Sequence, residues 1–450
     1  MYGREGDRFT LAAAGDAIIT RRLSTCEADR VQQVVDRIRA ADVGIVNLEV
    51  LLHDYDGYPA SQSGGTYMRA PPWAADELTW AGFDMFAAAN NHIGDFSHGG
   101  MEVTMDALED REIPYAGLGR SLAEARAPAY AETPGGRVGL VATCSSITPG
   151  SIAGERRPDM HGRPGLAPLR LETTFEIPTD AYETVQNWSE ALGLEAVKEY
   201  REGLGFPVPG EDEEGFTFLN PDGANLQFTE GEDFSLTKTP KDGDVEATLD
   251  RIRAADRQAD WVVASLHGHE GEGAFRNDQS IPTFYEEFAH ACIDAGADVF
   301  IGHGPHVLRG IEIYDGAPVF YSLGDFLMQN ETVSRLPTEI YDRYDLSAEA
   351  LPPDLFDERV FDEDGNRIGF LGDSAFWESV LPVCQFDDGA LDRVELHPLE
   401  LGFEAPRAQR GRPRLATGEA ATRILEELIE LSAPYDTDID ITDGKGIISI

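Results

Sequence analysis

An α/β layer fold is what this sequence predicts, and three observations carry that expectation. Strand-like apolar runs alternate with helix-period segments over residues 9–147. The alternation resumes at Val245 after a long break in the pattern. Residues able to bind metal or phosphate stand just after the strand-like runs, and open α/β sheets hold ligands outside the carboxyl ends of their strands.

Residues 11–14 form the first expected strand. Residues 27–40 have helical spacing, with Val31, Val34, Val35 and Ile38 on one face. Strands are expected over 43–48, 83–89 and 138–143, and helices over 73–81 and 100–109. The pattern then breaks over 148–244, which is rich in Gly, Pro and acidic residues and has one clear helical stretch, 179–200. This segment reads as an insertion, either a cap near the active site or a solvated loop. The core resumes with a helix over 245–255, a strand over 261–266, a helix over 282–295 and a strand over 299–301. Residues 307–314 and 318–321 predict a hairpin turning at Asp315-Gly316. The stretch 336–373 is acidic and loop-rich. A second hairpin is expected from 380–386 and 391–396, around Asp387-Asp388-Gly389. Residues 419–431 predict a terminal amphipathic helix, and the tail after Pro434 is expected to be weakly ordered. The expected organisation is thus a first half of the core (9–147), an insertion (148–244), a second half (245–330), an acidic loop-rich insertion (331–379) and a C-terminal hairpin and helix completing the core (380–450). There is no internal repeat.

The chain's 450 residues carry 82 acidic and 36 basic side chains, a formal net charge of -46. Only Lys198, Lys238, Lys241 and Lys445 are lysines. Such a surface repels itself at low salt, so a halophilic source is the expectation, with molar salt screening charges over roughly 3 Å. The same charge argues against nucleic acid and anionic membranes as partners. Cys26, Cys144, Cys292 and Cys384 form no C-x-x-C pair and are expected as free thiols. No apolar run reaches the ~20 residues of a membrane span, and the N-terminus has no signal-peptide layout. A cytoplasmic protein is therefore expected. Oligomeric state is not encoded legibly.

Five strand ends bring candidate ligands: Asp16; Glu49; Asn91 and His92; His267 and His269, with Glu270 beside them; and His303 and His306. Taken singly, each has a plain packing reading. Together they make a mixed oxygen/nitrogen set suited to transition metals, in which Glu49 can bridge two ions. His53, His161, His290 and His397 lack this context and are read as structural. Asp95 is expected to orient His92. Asn90 and His98 are candidate pocket residues, and Arg69, Arg276 and Arg309 are candidates for an anionic substrate.

The ordered set Gly15-Asp16, Asn47-Leu48-Glu49, Asn90-Asn91-His92-Ile93-Gly94-Asp95, His267, Gly302-His303-Gly304-Pro305-His306 and Tyr321-Ser322-Leu323-Gly324-Asp325-Phe326 resembles the CapA family. These are the poly-gamma-glutamate capsule-synthesis proteins of the calcineurin-like metallophosphoesterase superfamily. The acidity would make this a haloarchaeal-type member. The resemblance implies a metallophosphoesterase-like four-layer α-β-β-α sandwich with inserted loop-rich segments. It implies one or two divalent transition metals (Mn, Zn or Fe). Asp16 and His306 would hold the first, Glu49 would bridge, and Asn91, His267 and His303 would hold the second. His92, supported by Asp95, would be the catalytic acid. The implied activity is hydrolysis of a phosphoester or a gamma-glutamyl or peptide-type substrate, an anionic small molecule or polymer. The alternative is a non-catalytic polymer-binding or export accessory protein. The chain departs from the superfamily pattern at Ile18, where the first motif has a His, and at Gly304-Pro305, where one residue separates two histidines. It departs again at Gly268-His269-Glu270, where the family often has Trp-Gly, and at Asp325, where it usually has Asn. His269 is a candidate to complete the first metal set.

Overall fold

The apolar run after Arg8 forms a strand, Arg8–Ile18, that continues through Gly15 and Asp16. In this computed structural model, which describes residues 8–207, 215–220 and 223–450, that strand lies inside a ten-stranded mixed sheet. It runs parallel to Val43–Asn47 and Asp325–Met328 and antiparallel to Glu378–Asp387. The register sets Asp16 opposite Asp325. That approach depends on Gly15, because a Cβ there would stand 1.7 Å from the Gly324 carbonyl oxygen.

A second, six-stranded sheet has Trp261–His267 between Gly136–Cys144 and Val299–His303. Its parallel register sets His267 directly opposite His303. Side chains alternate across both sheets with period two. Leu11, Ala13, Val43 and Ile45 of the first sheet share a core with Val138, Leu140, Val263 and Val299 of the second. Ala12, Ala14 and Val46 turn instead to the helices Asp29–Ala40 and Trp73–Ala81, through Val31, Val35 and Leu78. Val262, Ala264 and Phe300 pack against the helices Asp242–Asp256 and Thr283–Asp294. Burial on both faces explains why these strands read as continuous apolar runs.

Both expected hairpins are present. Asp315 (φ 46°) and Gly316 (φ 81°) turn one, and Asp388 (φ 50°) and Gly389 (φ 84°) turn the other, the left-handed pairs that a tight hairpin requires.

Three expectations are corrected. Residues 148–244 are not a loop with one helix. They carry a four-stranded sheet, in which Leu171–Pro178 pairs with Leu226–Gly231 and Ser235–Pro240, and two helices, Thr179–Ala191 and Leu194–Gly203, separated at Gly193 (φ 76°). Residues 208–214 and 221–222 of this segment lie outside the described residues. The stretch 336–373 contains the helix Pro352–Val360, anchored by buried Leu355 and Phe356. The tail is ordered: Lys445–Ser449 pairs with Ala390–Glu400, with Ile447 and Ile448 buried. All four cysteines are free; Cys144, Cys292 and Cys384 are buried and Cys26 is half-buried. Among the described residues no helix is long and apolar enough to cross a membrane.

His397 carries a pH prediction. It is buried, and its Nδ1 accepts a hydrogen bond from Arg37 Nε at 3.2 Å. Burial, and then the Arg37 charge, lower its pKa to about 4. A folded-state value below the unfolded one contributes stability above the unfolded pKa, which is lost as pH falls from about 6.5 toward 4. His397→Gln keeps an acceptor and cannot be protonated. Between pH 7.5 and 5 the wild type is expected to lose about 1–2 kcal/mol more than this variant in denaturant titrations. Equal losses would contradict the account of His397.

Candidate metal centre

The two sheets meet so that their parallel strands deliver side chains to one buried place. From the first come Asp16, Glu49 and Asn91; from the second come His267, His269, His303 and His306. Asp16, Glu49, His267 and His303 are at most 1% exposed.

Local structure fixes each donor. Asn91 Nδ2 donates to the Gly64 carbonyl at 3.0 Å, which turns its Oδ1 toward His267 Nε2, also 3.0 Å away. His267 Nε2 lies 3.2 Å from His269 Nε2 and 3.7 Å from Glu49 Oε1. The other nitrogen of His269, Nδ1, is held 2.6 Å from Asn277 Oδ1. Asp16 Oδ1 accepts from Asn47 Nδ2 at 2.6 Å, and Asp16 Oδ2 from the Gly304 N–H at 2.9 Å. Gly304 adopts φ 110° where the turn passes Gly268, and a Cβ there would lie 3.0 Å from that residue's backbone. His306 follows at φ 61°, an uncommon conformation for a side-chain-bearing residue. Its Nδ1 is 2.9 Å from Asp325 Oδ1 and 3.9 Å from Asp16 Oδ2.

Among the described residues these donors fall into two groups, each with its ligand atoms within 4.8 Å of one another: Glu49, His267 and His269; and Asp16, Glu49, His306 and Asp325. Glu49 belongs to both. Asn91 Oδ1 adds to the first through His267. His303 joins neither group, though its Nδ1 is 3.7 Å from Asp16 Oδ1.

The donor set can hold a metal ion. Buried polar atoms are almost always paired, yet both carboxylate oxygens of Glu49, both ring nitrogens of His303 and Asp325 Oδ2 have no hydrogen-bond partner. Burial, and then the charge of Asp16, push Glu49 well above the usual carboxylate range. Burial opposes ionisation of Asp16 too, but the hydrogen bond and charge of His267, with His303 and His306, outweigh it and hold Asp16 low. Burial lowers His269 well below the ordinary histidine value, and lowers His303 to about 4. Against burial, the charges of Asp325 and Glu49 raise His306 to about 10. Three buried carboxylates beside several imidazoles form a donor set that could hold a cation.

His92 stands beside this set. Its Nδ1 is 2.6 Å from Asp95 Oδ2 and its Nε2 is 3.9 Å from Glu49 Oε1. Asp95 is itself fixed by the N–H groups of Gly64 and Met68, at 2.9 and 2.7 Å. His92, Asn91, His269 and His306 line a cleft of about 840 Å³.

Other candidates lie elsewhere. Arg309 is fully buried and donates to the carbonyls of Asp278 and Glu270, so it faces no substrate. Arg69 stacks on Tyr55, 3.7 Å from the ring centre. His98 is exposed in the first turn of Ser97–Glu109, outside the cleft lining. Asn90 is structural, donating to the Leu48 carbonyl and accepting from the His92 N–H. The Glu270 carboxylate accepts from Ser145 and Ser146 at 2.7 and 2.8 Å and turns away from the donor groups. His269 groups with His267, not with Asp16; the residue that joins the Asp16 group is Asp325. Sequence reading missed Asn47, Asp325 and Asn277. The first two stand within quoted motifs directly at strand termini, a signal available before the structure.

The family model described as "Bacterial capsule synthesis protein PGA_cap" matches residues 10–330. The uncharacterized protein y4sH of Sinorhizobium fredii is 33% identical over 451 residues, covering 99% of this chain and 94% of that protein. The capsule biosynthesis protein CapA of Bacillus anthracis is 23% identical over 72% of this chain and 61% of its own length. A probable polyglutamine synthesis accessory protein of Mycobacterium tuberculosis is 27% identical over 65% of this chain and 57% of its own length.

Proposed function

The chain belongs to the bacterial capsule synthesis PGA_cap family, and from that premise we propose that it is a metal-dependent hydrolase of a phosphoester or a gamma-glutamyl or peptide-type substrate in capsule or poly-gamma-glutamate metabolism. The observation that carries the reading is the pair of donor groups sharing Glu49 beneath a cleft that His92 also lines. The three shared cores support α-β-β-α layering, with helices outside both sheets.

Asp16, Glu49, His306 and Asp325 would hold one divalent transition metal; Glu49, Asn91, His267 and His269 would hold the other. Bound there, such ions supply Lewis acidity and lower the pKa of water. The chain's own residues do the rest. Asp95 accepts a hydrogen bond from the Nδ1–H of His92 and so directs Nε2 to the reacting bond. His92 Nε2 hands a proton to the leaving oxygen or nitrogen. Asn47 steadies Asp16 and His267 together.

The test is turnover of aryl phosphates, phosphodiesters and gamma-glutamyl peptides by protein supplied with Mn²⁺ or Zn²⁺. Metal-dependent turnover of one class is expected. A folded, metal-loaded protein inert on all three would favour the second reading, a non-catalytic polymer-binding or export accessory protein, to which the name of the mycobacterial relative points.

The acidic excess supports salt-dependent folding and a halophilic source. Far-UV circular dichroism should show structure lost as KCl falls from molar to millimolar, partly restored by divalent metal that binds the native state alone. A thermal midpoint indifferent to salt would contradict it.

A further inference from the structure

Charge in the cleft runs opposite to charge in the chain. The whole sequence has 82 acidic against 36 basic residues, but the cleft is lined by Arg170, Lys238, Arg276 and Arg359, with Glu270 the carboxylate among its described lining residues. That carboxylate is occupied by Ser145 and Ser146. Arg170 is tied to Asp244 by a double hydrogen bond. The other three are held by neutral partners: Lys238 Nζ is 3.5 Å from the Gly271 carbonyl, Arg276 Nη2 is 3.3 Å from Ser146 Oγ, and Arg359 Nη1 donates to Thr66 Oγ1 at 2.7 Å. No ion pair among the described residues engages them.

They come from three separate parts of the fold. Lys238 lies on Ser235–Pro240 of the inserted sheet. Arg276 lies on the loop after Trp261–His267. Arg359 lies on Pro352–Val360 of the second inserted segment. Lysine is nearly absent from the chain, yet one of its four lysines faces this cleft. Cations grouped in a concave space focus a positive potential and attract anions.

We propose that Lys238, Arg276 and Arg359 form a specificity clamp for a second anionic group of the substrate, additional to the group that engages the metal centre. The two insertions are then parts of the substrate site and select for extended, multiply anionic molecules. The proposal rests on the hydrolase reading for the first anion-binding point, and its test does not require turnover.

The full chain, supplied with Mn²⁺ and with metal content measured in parallel, is titrated calorimetrically with three probes. Tripolyphosphate and tri-γ-glutamate offer several anionic groups of two chemistries, and inorganic phosphate offers one. The wild type is expected to bind at least one extended probe, and which one it prefers identifies the anion. Lys238→Gln/Arg359→Gln should weaken that probe about tenfold or more, with metal content and inorganic phosphate binding unchanged. Arg276→Gln alone should give a smaller loss of the same kind. Loss of extended-probe binding in the variant, with inorganic phosphate bound by neither protein, supports the clamp and counts against the phosphoester form of the hydrolase reading. The clamp is overturned if the double variant binds the extended probe as tightly as wild type, if inorganic phosphate is weakened equally, or if the wild type binds neither extended probe.

Discussion

Glu49→Gln is expected to empty the metal centre and, in the metal-free protein, to raise stability. Glu49 is common to both donor groups, fully buried, and has neither oxygen hydrogen-bonded. Without a cation its carboxylate is a liability beside Asp16, which is why burial and that neighbour push its pKa up. Glutamine preserves the shape and removes the charge. Metal affinity should fall by roughly 100-fold or more, since even supporting groups around a metal cost 10–100-fold. A ligand present at 100 times its dissociation constant stabilises the native state by about 2.7 kcal/mol. The wild type should therefore gain thermal stability with added Mn²⁺ or Zn²⁺ and the variant should not. With chelator the order should reverse. A variant that keeps both its metal and the metal-induced rise in Tm would remove Glu49 from the centre.

His92→Ala is expected to keep fold and metal while lowering turnover about 10²–10⁴-fold, the range of a lost general acid. The side chain touches Glu49 and Asp95 without joining either donor group. Asp95→Asn should cost less in turnover and should shift its pH profile. Its Oδ2 holds His92 Nδ1 at 2.6 Å, whereas an amide there offers either a neutral acceptor or a second donor. Loss of metal along with activity in His92→Ala would make the residue a ligand and require a different proton donor.

The α/β core was legible because its strands are buried on both faces and read as unbroken apolar runs, such as Trp261–His267, while its helices keep one apolar stripe, as in Asp29–Ala40. The candidate ligands were legible for the same reason: once the apolar runs were seen, Asp16, Glu49, Asn91, His267 and His303 stood just after them or at their ends, although the first strand continues past Asp16 to Ile18. Which donors group together was not. That depends on where the turn at Gly304 and the positive φ of His306 aim their side chains, and on Asn277 orienting His269 from a loop eight residues on. The inserted sheet escaped notice because Ser235–Pro240 alternates exposed and half-buried residues without a large apolar face. The ordered tail escaped because Lys445–Ser449 depends on pairing with Ala390–Glu400, far away in sequence, and Asp440–Thr442 in turn pairs with Lys445–Ser449. Arg309 shows the opposite error. An arginine three residues past a histidine motif resembles an anion anchor, but its guanidinium is spent on two backbone carbonyls in the core.

Anomalous diffraction from crystals grown with Mn²⁺ or Zn²⁺ tests the central claim most directly. Two peaks roughly 3.5–4 Å apart are expected, both within bonding distance of the Glu49 carboxylate, one toward Asp16, His306 and Asp325 and the other toward Asn91, His267 and His269. Crystals that show no peak between Asp16 and His269 at saturating metal would contradict it.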